Sequence, residues 1–249
     1  MATKKKILIT GAAGYIGGYL RRYWGDRYDL RLADIKPVED LAAHEQAVRL
    51  DIAEYEPFLN ACQEIDTVVH LAADPSMQAE FYETLLPLNI IGCYNAFEAA
   101  RQAGCKRLIF ASSVNAIAGY NNSEHEDVKW DAPIFPVNVY GATKCWGEAL
   151  ARVYSSQHGL SCICVRIGAA RFSQAQEFDA ERQNMGLSAR DGAQLFGRCV
   201  EVEALDFAIV NGTSKHQRSF MDLEYTSELL GYEPENGTAF PPAEVDAGE

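Results

Sequence analysis

The stretch Ile7-Leu8-Ile9-Thr10-Gly11-Ala12-Ala13-Gly14-Tyr15-Ile16-Gly17 decides how the rest of the chain is read. An aliphatic run leads into three glycines spaced G-x-x-G-x-x-G, and an amphipathic stretch from Tyr15 to Trp24 follows. Strand, glycine turn and helix in that order let a backbone approach a pyrophosphate. Gly11 permits the tight turn, Gly14 the close approach, and Gly17 close packing of helix on sheet. The helix N-terminus, with Ala13, Tyr15 and Ile16 around it, offers N–H groups and a positive dipole end to phosphates. Asp34 closes the next apolar run, with Ile35 after it. A carboxylate there accepts both hydroxyls of a ribose and repels a 2′-phosphate, which favours NAD over NADP even with Lys36 nearby.

Outward from this unit, short β-branched runs alternate with longer amphipathic ones. Strands are expected at Ile7–Ile9, Leu30–Asp34, Val48–Asp51, Thr67–Leu71, Arg107–Ala111, Ser161–Ile167 and Phe207–Val210. Helices are expected over Tyr15–Trp24, about 79–103 with an interruption near Pro87, Val139–His158, Arg190–Val200 and Leu223–Leu230. Continuous apolar strands alternating with helices mean a parallel sheet covered on both faces, a Rossmann-type doubly wound α/β fold. Residues 1–168 are read as the NAD-binding domain, 169–235 as a small substrate lobe and 236–249 as an acidic tail. Asp51 and Ile52 fall where an adenine edge lies. His70-Leu71-Ala72-Ala73 ends the fourth strand with small residues that leave room for a cofactor. His70 itself reads as a packed strand-end histidine.

Composition narrows the function classes. The 249 residues carry 22 Lys+Arg against 35 Asp+Glu, a formal charge of −13, which argues against a nucleic-acid or anionic membrane partner. No apolar run reaches the ~20 residues of a membrane span. The seven cysteines are scattered without a C-x-x-C pair, which argues against a metal framework and for a reduced, cytoplasmic protein.

Chemistry enters at Tyr140-Gly141-Ala142-Thr143-Lys144, the only Y-x-x-x-K in the chain. At i,i+4 both side chains lie on one helix face. A phenol with a pKa of ~10 is a poor base near neutrality, and a cation beside it stabilises the phenolate. Such a tyrosinate can take a proton from a substrate hydroxyl while hydride leaves the same carbon. Ser112 and Ser113 end the fifth strand after Ala111, so a hydroxyl emerges at the carboxyl edge of the sheet, where open α/β folds bind ligands.

In this order the motifs TGAAGYIG, LADIK, LDIAEY, HLAA, LNIIGCYN, FASSVNAI, YGATK and VRIG resemble the extended short-chain dehydrogenase/reductase superfamily, its NAD-dependent epimerase/dehydratase group. KCWGEALARVY, VRIG and LSARD look most like uronate and related sugar dehydrogenases. The resemblance implies that Tyr140 is the base, Lys144 its partner and Ser113 the third member of a triad. It implies that Gly11, Gly14, Gly17, Asp34, Asp51, Ile52, residues 70–73, Asn89, Ala111 and Ile167 serve NAD. Asn89 reads equally well as a structural hydrogen-bonder. Ser112, Ser113, Asn115 and either Arg182 or Arg171 are the expected substrate contacts. The chain departs from the uronate enzymes in having Val114-Asn115 where they have Asn-His, and Ala169 where they have serine.

The expected activity is NAD-dependent oxidation of a hydroxyl on a small sugar or sugar acid, one case being a hexuronate at its anomeric carbon giving a lactone. The short stretch after Gly168 suits a free sugar better than a nucleotide sugar. Two alternatives stay open: an NAD-retaining epimerase or dehydratase, and a non-catalytic NAD-binding module that senses redox state or recruits a partner. A homodimer through helices 79–103 and 139–158 is expected.

Overall fold

The computed structural model describes residues 4–121, 127–170, 185–216 and 219–235. Seven strands, β1 (Lys6–Thr10), β2 (Asp29–Asp34), β3 (Glu45–Arg49), β4 (Thr67–His70), β5 (Arg107–Ser113), β6 (Ser161–Ile167) and β7 (Phe207–Gly212), form one sheet in the order β3-β2-β1-β4-β5-β6-β7. Every pairing is parallel. This is the doubly wound Rossmann order, with its switch point between β1 and β4. The central strands are apolar and buried on both faces, as parallel strands covered by helices must be.

One face is covered by α1 (Tyr15–Trp24), α5 (Ala189–Glu201) and α6 (Glu224–Leu230), which bury Leu20, Trp24, Phe196 and Leu230 in one cluster with Ile7, Ile9, Ile163 and Val165. The other is covered by α2 (Tyr55–Ala61), α3 (Cys93–Gln102) and α4 (Val139–His158), with Phe58, Phe97, Ala151 and Tyr154 against Leu8, Val68, Leu108 and Cys162. Fully burying one such phenylalanine stabilises by roughly 1.5–3 kcal/mol, so the two layers hold the sheet edges in fixed register. Arg107, at the start of β5, donates to the carbonyls of Cys199, Val200 and Val202 and so ties down the C-terminus of α5. Residues 189–212 of the stretch read as a substrate lobe thus supply α5 and β7 to the main sheet body.

Three elements differ from the sequence reading. The third strand lies at Glu45–Arg49, earlier than expected, because the ladder with β2 uses a polar, half-exposed edge segment. The apolar Leu50 and Ile52 that drew the reading onward turn inward beyond it. The region 79–103 is a π-helical segment, Phe81–Gly92, continuing into α3. The wide π turn absorbs Pro87, which lacks an N–H to donate. Helix α2 is a seven-residue element without a capping side chain, and it has no counterpart in the sequence reading. The expected 236–249 tail lies outside the described residues.

Candidate active site

The carboxyl ends of β1, β2, β4, β5 and β6 open into a cleft of about 890 Å³. At one end lie the glycine turn and Asp34; at the other lie Ser113, Asn115, Tyr140 and Lys144. Gly11 has φ of +73°, and a Cβ there would stand 2.8 Å from the Ala72 nitrogen, so the turn requires glycine. Gly17 lies off the cleft, where a Cβ would strike the Ala12 carbonyl at 2.6 Å; it sets the closeness of helix to sheet. The first turn of α1 carries neither a capping side chain nor an acid, leaving its dipole end open to an anion. Asp34 accepts hydrogen bonds from Ala13 N at 3.0 Å and Lys36 N at 2.9 Å, and so braces the glycine turn while facing the cleft. A glycine cradle, an open helix end and a carboxylate at the second strand end fit the pyrophosphate and ribose of NAD.

Gly14, Tyr15, Ile16, Ile35, Asp51, Ile52, Leu71, Ala72, Ala73, Ala111 and Ile167 all line the cleft. Ala13 does not; its N–H is spent on Asp34. Asn89 also stands off the cleft. It is buried, accepts from Asp74 N at 2.8 Å, and donates to Asp74 O and Thr143 Oγ1, joining the π segment to α4.

At the other end α4 starts on Asn138, whose Oδ1 accepts from Gly141 N at 2.7 Å. That cap aims the first turn, and with it Tyr140, at the cleft. Lys144, one turn on, is buried; its Nζ donates to Ala111 O at 3.0 Å and lies 5.5 Å from the centre of the Tyr140 ring. The ammonium is held by a carbonyl dipole, so its charge is left to act on the neighbouring phenol. Two ionisable groups near it carry no competing charge: burial and Lys144 hold His70 neutral, with its pKa pushed down to about 3, and burial pushes the Cys93 thiol up to about 12. His70 bonds Thr10 Oγ1 at 2.8 Å and stacks on Phe110, as a packed strand-end histidine does.

Ser113 lines the cleft, and its Oγ accepts from Asn115 N at 3.1 Å and Asn115 Nδ2 at 3.3 Å. Ser112 lines it too, but its hydroxyl donates to Glu148 at 2.7 Å. Glu148 in turn forms a bidentate pair with Arg166 at 2.9 Å, both side chains being almost fully buried. The sequence reading missed this Ser112–Glu148–Arg166 network and the role of Asn138, since both depend on contacts distant in sequence. Arg182 and Arg171 lie outside the described residues. Among the described residues no His/Cys/Asp/Glu group could hold a metal ion, and no helix is long and apolar enough to cross a membrane.

A parallel sheet with a dinucleotide cradle at its switch point, and a Tyr/Lys/Ser set at the far end of the same cleft, define an NAD-dependent oxidoreductase of the short-chain type. Residues 7–178 match the NAD dependent epimerase/dehydratase family, and the chain belongs to it. It is similar to an NAD-dependent glucose-6-phosphate dehydrogenase of Haloferax volcanii, 32% identical over 248 residues and covering 94% of each chain. A uronate dehydrogenase of Pseudomonas putida is 34% identical over 244 residues, covering 97% of this chain and 88% of its own. Among solved structures, a mutant of the Agrobacterium tumefaciens uronate dehydrogenase complexed with NAD superposes with a TM-score of 0.83 at 31% identity, over 98% of this chain and 93% of that one.

Proposed function

We propose that the protein oxidises a hydroxyl of a free sugar or sugar acid with NAD. The observation that carries this reading is that Tyr140, Lys144 and Ser113 meet at one end of the cleft whose other end is the glycine cradle. Tyr140 takes the hydroxyl proton, Lys144 stabilises the phenolate that does so, and Ser113 donates to the substrate oxygen as it gains negative charge. NAD, when bound, supplies the acceptor for the hydride that leaves the same carbon. The substrate class is supported by the names of the relatives, which act on a sugar phosphate and on uronates.

The test is NADH formation across a panel of aldoses, hexuronates, sugar phosphates and polyols, run with NAD and with NADP. Tyr140→Phe is expected to cut turnover at least ~10²-fold while NADH binding survives. Full activity in that variant would overturn the mechanism. Bound NAD without net NADH would favour an epimerase.

The same reading includes a homodimer. On α4, Val139, Trp146 and Val153 recur every seven residues and are 53%, 39% and 47% exposed, forming one apolar stripe. Beside it Ile91 and Tyr94 are also exposed. A second copy laid on this seam would cover both. Sedimentation should give twice the chain mass, and Trp146→Glu should return it to one; a wild-type monomer at micromolar concentration refutes the seam. The seven buried, unpaired cysteines are in keeping with a reducing, cytoplasmic setting.

A further inference from the structure

We propose that Asn138 is a positioning residue: through Asn115 it sets the direction in which Ser113 donates its proton. The proposal rests on the triad reading above and deepens it. The polarity of the relay follows from one backbone group. Gly141 N–H, at the start of α4, can only donate, so the Asn138 atom 2.7 Å from it is the amide oxygen. The Asn138 Nδ2 therefore faces outward and donates to Asn115 at 2.9 Å. The atom Asn115 presents there must accept, so it is Oδ1, and Asn115 Nδ2 is turned toward Ser113 Oγ at 3.3 Å. Asn115 N adds a second donor to the same oxygen at 3.1 Å. Both lone pairs of the serine oxygen are thereby occupied, and its own proton is left to donate into the cleft.

The oxidation needs that orientation. A substrate oxygen losing its proton to Tyr140 builds up negative charge and gains from a donor already aimed at it. The relay also locks two elements together: a Cβ at Gly141 would lie 2.4 Å from the Asn115 carbonyl oxygen, so the start of α4 and the turn after β5 meet backbone to backbone. Ser113 and Tyr140 are carried by those two elements.

Asn138→Asp separates capping from relaying. An aspartate keeps the acceptor for Gly141 N–H and is an equally good cap. It cannot donate to Asn115, whose amide then turns its Nδ2 toward the new carboxylate and its oxygen toward Ser113. The serine proton is drawn into Asn115 and lost to the substrate. The expected result is an unfolding midpoint and NADH affinity close to those of the parent, with kcat lowered about 10²-fold, in the range of a lost oxyanion donor. Ser113→Ala should show a similar loss, and the double variant should be no slower than the slower single. Asn138→Ala, lacking the cap as well, should lose stability in addition. Parental kcat in Asn138→Asp, or losses that multiply in the double variant, would overturn the proposal.

A second readout does not need turnover. In protein with ¹⁵N-labelled asparagine, the Asn115 side-chain amide signal should move in Ser113→Ala and in Asn138→Asp. If neither substitution moves it, the relay does not exist. A panel on which the parent is inactive would instead count against the sugar reading, and the amide shifts would still decide the relay.

Discussion

Asp34 is the residue whose removal most cleanly tests cofactor choice, because its carboxylate has two tasks. It accepts Ala13 N–H and Lys36 N–H, holding the glycine turn, and it faces the cleft where a ribose must sit. A carboxylate has about four acceptor sites, so two backbone bonds leave room for ribose hydroxyls. Hydrogen bonds to a charged group contribute about 1.5–3 kcal/mol each. Asp34→Ala should therefore weaken NADH at least ~10-fold and, with Lys36 beside the gap, raise the ratio of NADPH to NADH affinity. Fluorescence titration of both nucleotides measures this. Equal weakening of the two would mean that the carboxylate acts on the turn alone and does not discriminate the 2′-phosphate.

Element by element, the sequence was most legible where punctuation was strongest. Tyr15–Trp24 begins at a glycine turn, Val139–His158 is bracketed by Asn138 and by Gly159 at φ +67°, and Ser161–Ile167 follows at once; all three have the expected limits. Strand β3 is a polar edge, α2 is short and uncapped, and the π segment carries a proline, so none presents a clear period. The site divides in the same way. The glycines, Asp34, Tyr140 and Lys144 were legible as motifs because their chemistry depends on spacing along the chain. The Asn138–Asn115 contact and the Ser112–Glu148–Arg166 network were not, because only packing brings α4, β5 and β6 together. The second of these invites a direct measurement. Glu148 on α4 and Arg166 on β6 are 4% and 2% exposed, so Glu148→Ala strands a buried guanidinium and should cost about 3–5 kcal/mol in denaturant unfolding. Glu148→Leu combined with Arg166→Met should recover much of that. A double variant as unstable as the single would show that the pair stabilises by more than mutual neutralisation.

For the molecule as a whole, the sheet buries an ionisable group at its centre, and acid should reveal it. His70 sits at the end of β4 between Phe58 and Phe110, wholly buried, with its pKa pushed from 6.5 down to about 3 by desolvation and by Lys144. In the unfolded chain the same imidazole protonates at its ordinary value. Between those two pKa values the unfolded state binds more protons than the folded one, so stability present above 6.5 is lost as pH falls toward 3. The slope approaches about 1.4 kcal/mol per pH unit for one such group. Glu45, Glu98 and Glu201 are held below their ordinary 4.5, and their own losses begin about one pH unit above it, where the unfolded carboxyls start to take up protons, so the interval from 6.5 to about 5.5 isolates the histidine. Urea unfolding across that interval should show the slope in the parent, and His70→Phe should flatten it even though the lost Thr10 bond lowers stability at neutrality. An unchanged slope in His70→Phe would assign the acid sensitivity to other titrating groups, because the self-repulsion of a chain of formal charge −13 shrinks as it gains protons toward neutrality and cannot supply the loss.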